Sequence, residues 1–586
     1  MGSICVTEIY LFLNLICYAQ QELKLSGHSA DIQNDSEWED PDTFESNENP
    51  QLPRNSSLRR ISRHYRLNQK QHKAFVLVGG KLIRSFRFET NHQPPLRAFL
   101  GGKPGSGKSL VIRALQTLAF SWGYPYAVAT VAYQGVAAEA AGGQTIHKMF
   151  GWGIKPKKRK PTMNLEQRER FAQLRLLIID EISTTDVKFL GMIDSELRTR
   201  KNEPDKIFGG VDFLLVGDWL QQLPTAGYPA YITISPTSGR RNDDDEYLAR
   251  SRGIAVYRNI NTVVMLQENM RHRSDTCWRE ILERCVVSGF PVNYLQEDID
   301  YVNNVCFDGN WKEEAVDIES YTPIIVTSNA LRTEFNVTGT IHYCQHHNET
   351  LHEFPAKLAR TRTQLTASQQ RNLRMIRDDK TSNMSFLLKI AKGMPVQCTK
   401  NVSQAMKLSN GSIGFVTGFE CSPEDSVRME TVDGINYAIH TCPPDIVFIK
   451  LRNYFTTQFF PELPDGTVPV LLRVEKQVEI KMPDRSFNVI VTQVPLIPAF
   501  AITSDKSQGL TVERMVLGPL RHSSRINPQR TSFYVAVTRV KTMKQLYLME
   551  RLTPEYLGYF KPSEAALAET QRLHQLERDQ CTSTTS

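Results

Sequence analysis

A glycine-rich stretch at residues 101–109, GGKPGSGKS, has the composition and spacing of a loop that binds phosphate groups. After an apolar run and before a helical pattern, it fits G-x-x-x-x-G-K-[ST] at Gly102, Gly107, Lys108 and Ser109. Glycines, Gly105 among them, let backbone N–H groups curl around phosphate oxygens. We predict that this phosphate loop binds a nucleoside triphosphate, with Lys108 on the β- and γ-phosphates and Ser109 on Mg²⁺. The alternative is an ordinary glycine-rich turn.

Two adjacent acids follow the apolar run that starts at Leu176 in LRLLIIDEIS. Acidic side chains at the end of a buried run are costly unless a cation or a reaction uses them. Asp180 is therefore predicted to hold Mg²⁺, directly or through water, and Glu181 to orient or deprotonate an attacking water. The alternative for Asp180 is a helix cap.

Further polar groups come from distant parts of the chain. Gln71, about 30 residues before the phosphate loop, could pair with the donor and acceptor edge of adenine, although glutamines are also common on surfaces. Arg271 and Arg539 carry a planar, permanently charged fork that suits phosphate oxygens. Their alternative role is a surface salt bridge. An apolar run also ends in a polar segment, TSDKSQGLT, at 503–511.

The order of these stretches resembles superfamily one DNA helicases, in the branch that contains RecD and the Pif-type (petite-integration-frequency) helicases. The resemblance covers about residues 65–550 and extends to the helicase part of Helitron transposons. It is carried by GVAAEAAGGQTIHKMF, GDWLQQLP, GMPVQCTKN with LSNGSIG, TSDKSQGLT and YVAVTRV. The segment from FGG to QLP and the NGSIG segment fit the Pif-type branch better than RecD.

The resemblance implies roles around the nucleotide. Gln222 is expected to sense the γ-phosphate, with Gln221 as the alternative because the motif carries an extra glutamine. Arg271 and Arg539 are expected to stabilise charge on the transferring phosphoryl group from the second domain. In the 503–511 segment, the residues expected to face the nucleotide are Lys506, Gln508 and Gly509. Asp505 stands where the family usually has histidine.

The resemblance also implies a groove for DNA. The residues expected there are Thr145, His147 and Lys148 from QTIHKMF, and Thr503 and Thr511 beside the DNA backbone. A lone histidine is more often an ordinary surface or core residue. The implied partners are single-stranded and forked DNA, contacted mainly through phosphates and base stacking.

The implied activity is that of an ATP hydrolase and 5′-to-3′ DNA helicase with ATP and Mg²⁺ as cofactors. It would serve DNA repair, recombination or telomere and genome maintenance. A rival interpretation is a non-catalytic or transposon-derived DNA-binding remnant, and a third is a motor that acts on RNA.

Alternating strand and helix patterns predict an α/β fold with parallel sheets covered on both faces. With the resemblance, this becomes a P-loop NTPase with two tandem RecA-like domains and a small β-rich domain inserted in the second. The expected segments are a largely disordered N-terminal part at 1–60, a first RecA-like domain at 61–255, a second at 256–410 and 491–560, the inserted β-domain at 411–490 and a polar tail at 561–586.

The amino-acid composition indicates a globular, intracellular protein. The 586 residues are 40% hydrophobic with a net charge of +7, which fits globular domains and is compatible with a polyanionic partner. The ten cysteines include no C-x-x-C pair, which indicates reduced thiols of an intracellular protein. Cys344, His346 and His347 suggest zinc, but no second ligand pair follows at zinc spacing, so we expect no zinc there.

Two segments bear on location. Residues 1–20 resemble the core of a signal peptide, but Glu8 interrupts them and no basic residue precedes them, so a buried segment is favoured and no membrane span is expected. The basic run KPKKRKP at 155–161 is a nuclear localisation signal, a loop that contacts DNA or a solvated charge cluster. The expected location is the nucleus, with mitochondria as a second compartment.

Overall fold

The computed structural model describes residues 53–87, 94–152, 165–224, 227–232, 244–287, 296–307, 321–359, 365–403, 405–481, 486–508, 510–519, 531–560 and 562–583. The chain divides into two compact units. The first unit contains the described residues up to 287 together with 531–538 and 557–583. The second contains those from 296 to 519 and from 539 to 556. The expected N-terminal segment therefore lies mostly outside the described residues.

The first unit is built on a parallel sheet. Its strands are β1 (Arg97–Gly102), β2 (Val128–Ala132), β3 (Gln144–Thr145), β4 (Leu176–Asp180), β5 (Asp212–Gly217) and β6 (Thr262–Leu266). They are ordered β3-β2-β4-β5-β1-β6, and every pairing is parallel. Every residue of β4 is buried, as expected for an apolar strand with both faces covered. The α/β fold predicted from the strand and helix patterns is confirmed for this unit.

Helices cover this sheet. The first-unit helices are Leu58–His64, Gln69–Arg87, Lys108–Ser121, Gly135–Ala140, Ile146–Phe150, Leu165–Gln173, Val187–Lys201, Asp244–Arg258, Thr276–Val287, Ser532–Val537 and Glu564–Ser583. The helix after the phosphate loop buries Val111, Leu115 and Leu118, spaced as one face of a helix, in a core with strand residues such as Ile178 and Leu214. This packing fixes the start of the helix beside the carboxyl end of β1.

The boundary predicted between residues 255 and 256 is wrong. Strand β6 pairs with β1 in the first sheet, with Phe99 opposite Val263, so the first unit continues past residue 266. The sequence of β6 does not show which sheet this strand joins, because an apolar run can pair with the edge strand of either sheet.

The C-terminal segment, predicted as a charged, helix-forming tail, is a helix of the first unit, Glu564–Ser583, that packs on β6. Leu573 is fully buried. The Glu577 carboxylate accepts the Met265 N–H at 3.2 Å and pairs with the Lys70 ammonium at 2.7 Å. The Tyr257 hydroxyl donates to Glu569 at 2.5 Å. These contacts cover a strand edge that would otherwise be unpaired.

The second unit has a small parallel sheet and a larger β region. Its strands are β7 (Ile324–Val326), β8 (Leu351–Pro355), β9 (Lys357–Ala359), β10 (Leu387–Ile390), β11 (Pro395–Cys398), β12 (Ile413–Cys421), β13 (Val427–Val432), β14 (Ile435–His440), β15 (Pro444–Leu451), β16 (Thr467–Leu471), β17 (Arg473–Lys481), β18 (Ser486–Gln493), β19 (Leu496–Pro498), β20 (Ala501–Thr503), β21 (Met515–Leu517) and β22 (Leu546–Leu548). The parallel sheet has the order β20-β7-β21-β22. Its helices are Gln296–Phe307, Asn329–His347, Ala367–Arg374 and Ser504–Ser507, and Pro554–Tyr559 lies where the chain passes to the first unit.

The inserted β region is larger than the 411–490 segment that we predicted. It contains a sheet of order β10-β8-β14-β13, one of order β16-β15-β12-β11-β19 and a third of order β17-β18-β9. Strands β8, β9 and β11 pair with strands inside the predicted segment, and β10 pairs with β8, so the region begins near residue 351 and ends near 498. Pairings across such long stretches of sequence leave no local signal.

None of the described helices combines the length and the apolar character that a bilayer crossing requires.

The contact of the C-terminal helix with the first unit generates a stability prediction. Replacing Leu573 by alanine leaves a cavity at a fully buried position, so we expect the free energy of unfolding of the first unit to fall by about 2 to 5 kcal/mol. Thermal and chemical denaturation of the full chain measure this. Gln571→Ala, on the exposed side of the same helix, is the control and should change it by less than about 0.5 kcal/mol. Equal denaturation midpoints for both variants would show that the helix does not support the unit.

Candidate nucleotide and nucleic-acid sites

The carboxyl ends of three adjacent strands place polar groups at one edge of the first sheet. The register sets Gly101 of β1 beside Gly217 of β5, and Ile179 of β4 beside Leu215 of β5. The phosphate loop follows β1, while Asp180 ends β4 and Asp218 follows β5. Crevices at the carboxyl ends of parallel strands are the usual ligand sites of such sheets.

The phosphate loop needs glycine at two positions where another residue would collide. Gly105 has φ 76°, and a Cβ there would lie 2.5 Å from the Cβ of Arg271. Gly107 has φ 81°, and a Cβ there would lie 2.2 Å from Nε2 of Gln71. Positive φ and close approach together exclude other side chains. The glycines of the pattern therefore shape the loop in this chain.

The lysine and serine of the pattern occupy the first turn of the helix Lys108–Ser121. Lys108 Nζ donates to the carbonyl oxygens of Gly102 at 2.6 Å and Lys103 at 3.3 Å, so the ammonium lies within the curve of the loop. Ser109 is exposed at the start of the helix. Both side chains lie where a phosphate and its cation would meet the helix N-terminus. Their contacts with a nucleotide remain predictions.

Two buried carboxyl groups lie close to Lys108. Burial and the charge of Glu181 raise the pKa of Asp180 to about 7, against the opposing effects of the Glu181 N–H and the Lys108 ammonium. Burial likewise raises the pKa of Asp218, again opposed by Lys108. Glu181, at φ 48°, follows Asp180 in a left-handed conformation that few non-glycine residues adopt. This surplus of acidic groups suits a divalent cation.

Asp218 is a site residue that the sequence analysis did not assign. The available signal was a third apolar strand that ends in an acid, in the same way as β4. Asp218 also bonds to its own segment: it accepts from the Leu220 N–H at 3.0 Å and from Gln221 Nε2 at 3.5 Å. Gln221 and Gln222 are both buried, and sensing of the γ-phosphate by Gln222, or by Gln221, stays a prediction.

Gln71 lies against the phosphate loop. Its Nε2 donates to the Ser106 carbonyl at 3.0 Å and its Oε1 accepts from the Asn68 N–H at 2.9 Å. The amide thus supports the loop backbone in this structure. Recognition of adenine by Gln71 remains a prediction.

Arg271 belongs to the first unit and not, as predicted, to the second domain. The N–H of Met270 donates to the Gly105 carbonyl at 2.8 Å, which brings the Arg271 side chain against the phosphate loop. Its Nη1 also donates to the Thr538 carbonyl at 2.9 Å. The correction follows from β6, because the strand that leads to Arg271 lies in the first sheet.

The polar segment after β20 forms part of the second unit. Arg539 is buried, with Nη1 3.5 Å from the carbonyl oxygens of both Ser507 and Leu510. Lys506 Nζ donates to Asn410 Oδ1 at 3.0 Å, and burial lowers the pKa of Lys506. The structure therefore places Arg539 beside this segment. Their nucleotide contacts remain predictions.

The segment 503–511 also contains Thr503, Gln508, Gly509 and Thr511. Gln508 and Thr503 are buried, and Thr511 is half-buried, with its carbonyl accepting from Arg452 at 3.1 Å. Gly509 lies outside the described residues. The expected contacts of Thr503 and Thr511 with DNA remain predictions.

The predicted DNA-contacting residues of the first unit lie together on one short helix. Thr145 caps the helix Ile146–Phe150 by accepting the Lys148 N–H at 3.3 Å, and Lys148 is exposed. The ring of His147 lies 5.1 Å from that of Phe189 and 6.0 Å from that of Tyr133. Burial lowers the pKa of His147, so this ring is neutral at physiological pH.

An aromatic cluster that the sequence analysis missed surrounds His147. Tyr133 directly follows β2 and is 37% exposed, Phe189 lies 5.4 Å from it, and Trp152 stacks 6.3 Å from Phe189. Lys188 Nζ lies 5.5 Å from the Phe189 ring. Aromatic rings beside a cation are the features that hold single-stranded nucleic acid. No local motif links these residues, because Tyr133 and Phe189 lie on different elements.

The raised pKa of Asp180 predicts a pH dependence of stability that can be measured without Mg²⁺ or nucleotide. The pKa rises from 3.8 in the unfolded chain to about 7 in the folded chain, so the folded state holds a proton that the unfolded state releases. The parent protein therefore loses stability as pH rises from about 4 to above 7. We expect Asp180→Asn to have the higher thermal midpoint at about pH 8, with a difference that shrinks towards low pH.

Differential scanning fluorimetry over this pH range, without Mg²⁺ or nucleotide, makes the measurement. Asp205→Asn, at an exposed acid, is the control and should follow the parent. A difference in thermal midpoint between Asp180→Asn and the parent that stays constant with pH would contradict the raised pKa of Asp180.

The chain has relatives of known family. A sequence model of the family described as PIF1-like helicase matches residues 66–284. The ATP-dependent DNA helicase Pif1 of Psychrobacter is 25% identical over 499 residues, which are 77% of this chain and 65% of that protein. The chain thus spans slightly less than two thirds of this relative's length, and the match to the zebrafish PIF1 helicase covers 58% of that protein.

Solved structures share the fold. The Pif1 helicase from Bacteroides in complex with ADP-AlF3 and single-stranded DNA has a TM-score of 0.56 at 20% identity, covering 85% of this chain and 97% of that one. A structure of two coordinating Pif1 helicases at forked duplex DNA has the same TM-score and identity, covering 87% and 98%. Residues 66–284 therefore match the PIF1-like helicase family, and the chain is similar to Pif1-type helicases in sequence and in fold over most of its length.

Proposed function

We propose that this chain is an ATP-dependent DNA helicase that hydrolyses ATP with Mg²⁺, translocates 5′ to 3′ on single-stranded DNA and unwinds duplex DNA. The observation that carries the proposal is the group at the edge of the first sheet: Lys108 inside the phosphate loop, with buried Asp180 and Asp218 beside it. The match to PIF1-like helicases supports the DNA-directed activity.

The residues at this edge fit a Mg²⁺–triphosphate. Asp180 is buried, which disfavours its charged form unless a cation lies nearby, and exposed Ser109 offers a hydroxyl at the helix start. Asp180 and Ser109 would hold Mg²⁺, which when bound neutralises charge on the phosphate oxygens. Lys108 would leave its loop carbonyls for the β- and γ-phosphates.

Hydrolysis requires a positioned water and stabilised charge. Glu181 follows the cation ligand and would orient the attacking water or take its proton. Arg271, held against the phosphate loop, would stabilise charge on the transferring phosphoryl group from the same unit. Gln222 or Gln221, beside Asp218, would report the presence of the γ-phosphate.

Single-stranded DNA is proposed to lie on the first unit along the aromatic cluster of Tyr133, His147, Trp152 and Phe189. The rings provide stacking surfaces without base-specific hydrogen bonds, and the nearby cations Lys148 and Lys188 can meet phosphates. Relatives solved with single-stranded and forked DNA support both as partners. Contacts of this kind are largely independent of sequence.

We further propose a role in DNA repair or recombination in the nucleus, supported by similarity to relatives named as DNA helicases. The basic run at 155–161 is consistent with nuclear import or DNA contact and lies outside the described residues. A role at telomeres is a narrower proposal of the same kind.

The rival interpretation, a non-catalytic DNA-binding remnant, predicts that the chain binds DNA but does not hydrolyse ATP. We expect Lys108→Ala to lower the DNA-stimulated ATPase rate by about 100-fold or more, because it removes the cation that meets the β- and γ-phosphates. Lys103→Ala is the matched control: this lysine lies in the same loop, but its amine pairs with Glu283 at 3.4 Å.

A phosphate-release assay with and without single-stranded DNA makes this comparison, and Lys103→Ala should keep most of the rate. Binding of DNA by the parent protein with no ATP turnover would overturn the helicase proposal in favour of the remnant. Stimulation by RNA alone would favour the RNA motor.

The aromatic cluster generates a separate prediction for DNA binding. Tyr133→Ala removes an exposed stacking surface, so we expect single-stranded DNA affinity to weaken by about 1 to 3 kcal/mol while ATP binding stays unchanged. Tyr126→Ala is the matched control, because Tyr126 is 43% exposed and precedes the same strand, β2, at its opposite end. Fluorescence anisotropy with a labelled oligonucleotide measures both. Equal losses for the two variants would rule out a specific stacking site at Tyr133.

A further inference from the structure

Three metal-binding side chains meet in the inserted β region, outside every helicase motif. The donor atoms of Cys421, Asp425 and His440 all lie within 4.8 Å of one another. Among the described residues, this is the one group of three or more such side chains close enough to share an ion. The stretch with Cys344 and His346, whose sequence suggested zinc, is not such a group. Neither the ATPase site nor the aromatic cluster uses these residues.

We propose that Cys421, Asp425 and His440 bind a zinc ion. Thiolate, imidazole and carboxylate are together the donor types of Zn²⁺. Mg²⁺ and Ca²⁺ prefer all-oxygen ligands and would not use the sulfur. Three protein donors leave a fourth position for water, and Cys421 is partly exposed, so solvent reaches the site.

The donors come from the ends of elements in two different sheets. Cys421 is the last residue of β12, in the five-stranded sheet, and His440 is the last residue of β14, in the four-stranded sheet. Asp425 lies in the loop between β12 and β13. A shared ion would therefore join the two sheets at a point where the chain turns from one to the other.

The Asp425 carboxylate is already oriented for this role. Its Oδ1 accepts from the N–H groups of Thr441 and Cys442, both at 3.0 Å, and from the Thr441 hydroxyl at 3.2 Å. These bonds leave Oδ2 directed at Nδ1 of His440, 2.6 Å away. The side chain is thus fixed before any ion binds, which lowers the entropy cost of binding.

The His440 ring is held on both sides. It stacks on Phe354 at 3.9 Å and lies edge-on to Phe419 at 6.1 Å. Its Nε2 lies 3.0 Å from Nδ1 of His352, on β8. With zinc on Nδ1, the proton of His440 resides on Nε2 and is donated to His352. Metal-bound histidines commonly have such a partner, which fixes the ring and its tautomer.

Only small movements separate this arrangement from a tetrahedral site. Donor pairs on one zinc ion lie about 3.2 to 3.8 Å apart at the usual bond lengths. Here Cys421 Sγ lies 4.0 Å from His440 Nδ1, and Nδ1 lies 2.6 Å from Asp425 Oδ2. Binding would replace the Asp425–His440 hydrogen bond; the thiol proton would pass to solvent, and the one proton of the neutral imidazole would lie on Nε2 and no longer on Nδ1.

The test is metal content and cobalt spectroscopy on the full chain, without ATP or DNA, so that its outcome does not depend on the helicase proposal. After removal of metal, the parent protein should take up about one Zn²⁺ per chain and, with Co²⁺, show a thiolate-to-cobalt charge-transfer band. Cys421→Ser and His440→Gln should each abolish the band. Cys442→Ser, in the adjoining loop, is the matched control and should keep it.

His352→Gln should weaken Zn²⁺ binding by about 10- to 100-fold, because it removes the partner of the ligand and not the ligand itself. Circular dichroism of each variant establishes that it has folded. A parent protein that takes up no stoichiometric Zn²⁺, or a Cys421→Ser variant that binds it as tightly as the parent, would overturn the proposal.

Discussion

The balance of charge at one edge of the first sheet is the constraint on which the rest of the structure depends. Asp180 and Asp218 are buried beside the single ammonium of Lys108, and burial raises the pKa of both carboxyl groups. Without a cation, this arrangement is unfavourable. The parallel sheet, the helix after the phosphate loop and the residues around them hold these groups in place, so the fold keeps a site that a Mg²⁺–nucleotide would complete.

Residues from several parts of the first unit hold the phosphate loop in place. Gln71 and Arg271 contact the phosphate loop from elements on either side of it in the sequence, and Arg271 follows β6. The helix Glu564–Ser583 covers β6 and ties it to Lys70, next to Gln71. A helix near the end of the chain thus stabilises the two segments that shape the loop, although it carries no motif of its own.

The sequence predicted local features well and distant pairings poorly. The strands β1 and β4 could be predicted because each is a short apolar run followed by a glycine-rich loop or by acidic residues. Strand β6 was assigned to the wrong domain, since an apolar run does not reveal which edge it joins. The cluster of Tyr133 and Phe189 and the trio of Cys421, Asp425 and His440 depend on contacts between separate elements, which residue spacing alone does not encode.

We propose that hydrolysis of ATP at this edge moves the protein along DNA in one direction. Unwinding of matched duplexes with a 5′ or a 3′ single-stranded tail, made of DNA or RNA, tests it most directly. We predict that the 5′-tailed DNA duplex is unwound, and only with both ATP and Mg²⁺, while the 3′-tailed duplex is not. Unwinding of only the 3′-tailed DNA, of only the RNA, or of no substrate would contradict the claim.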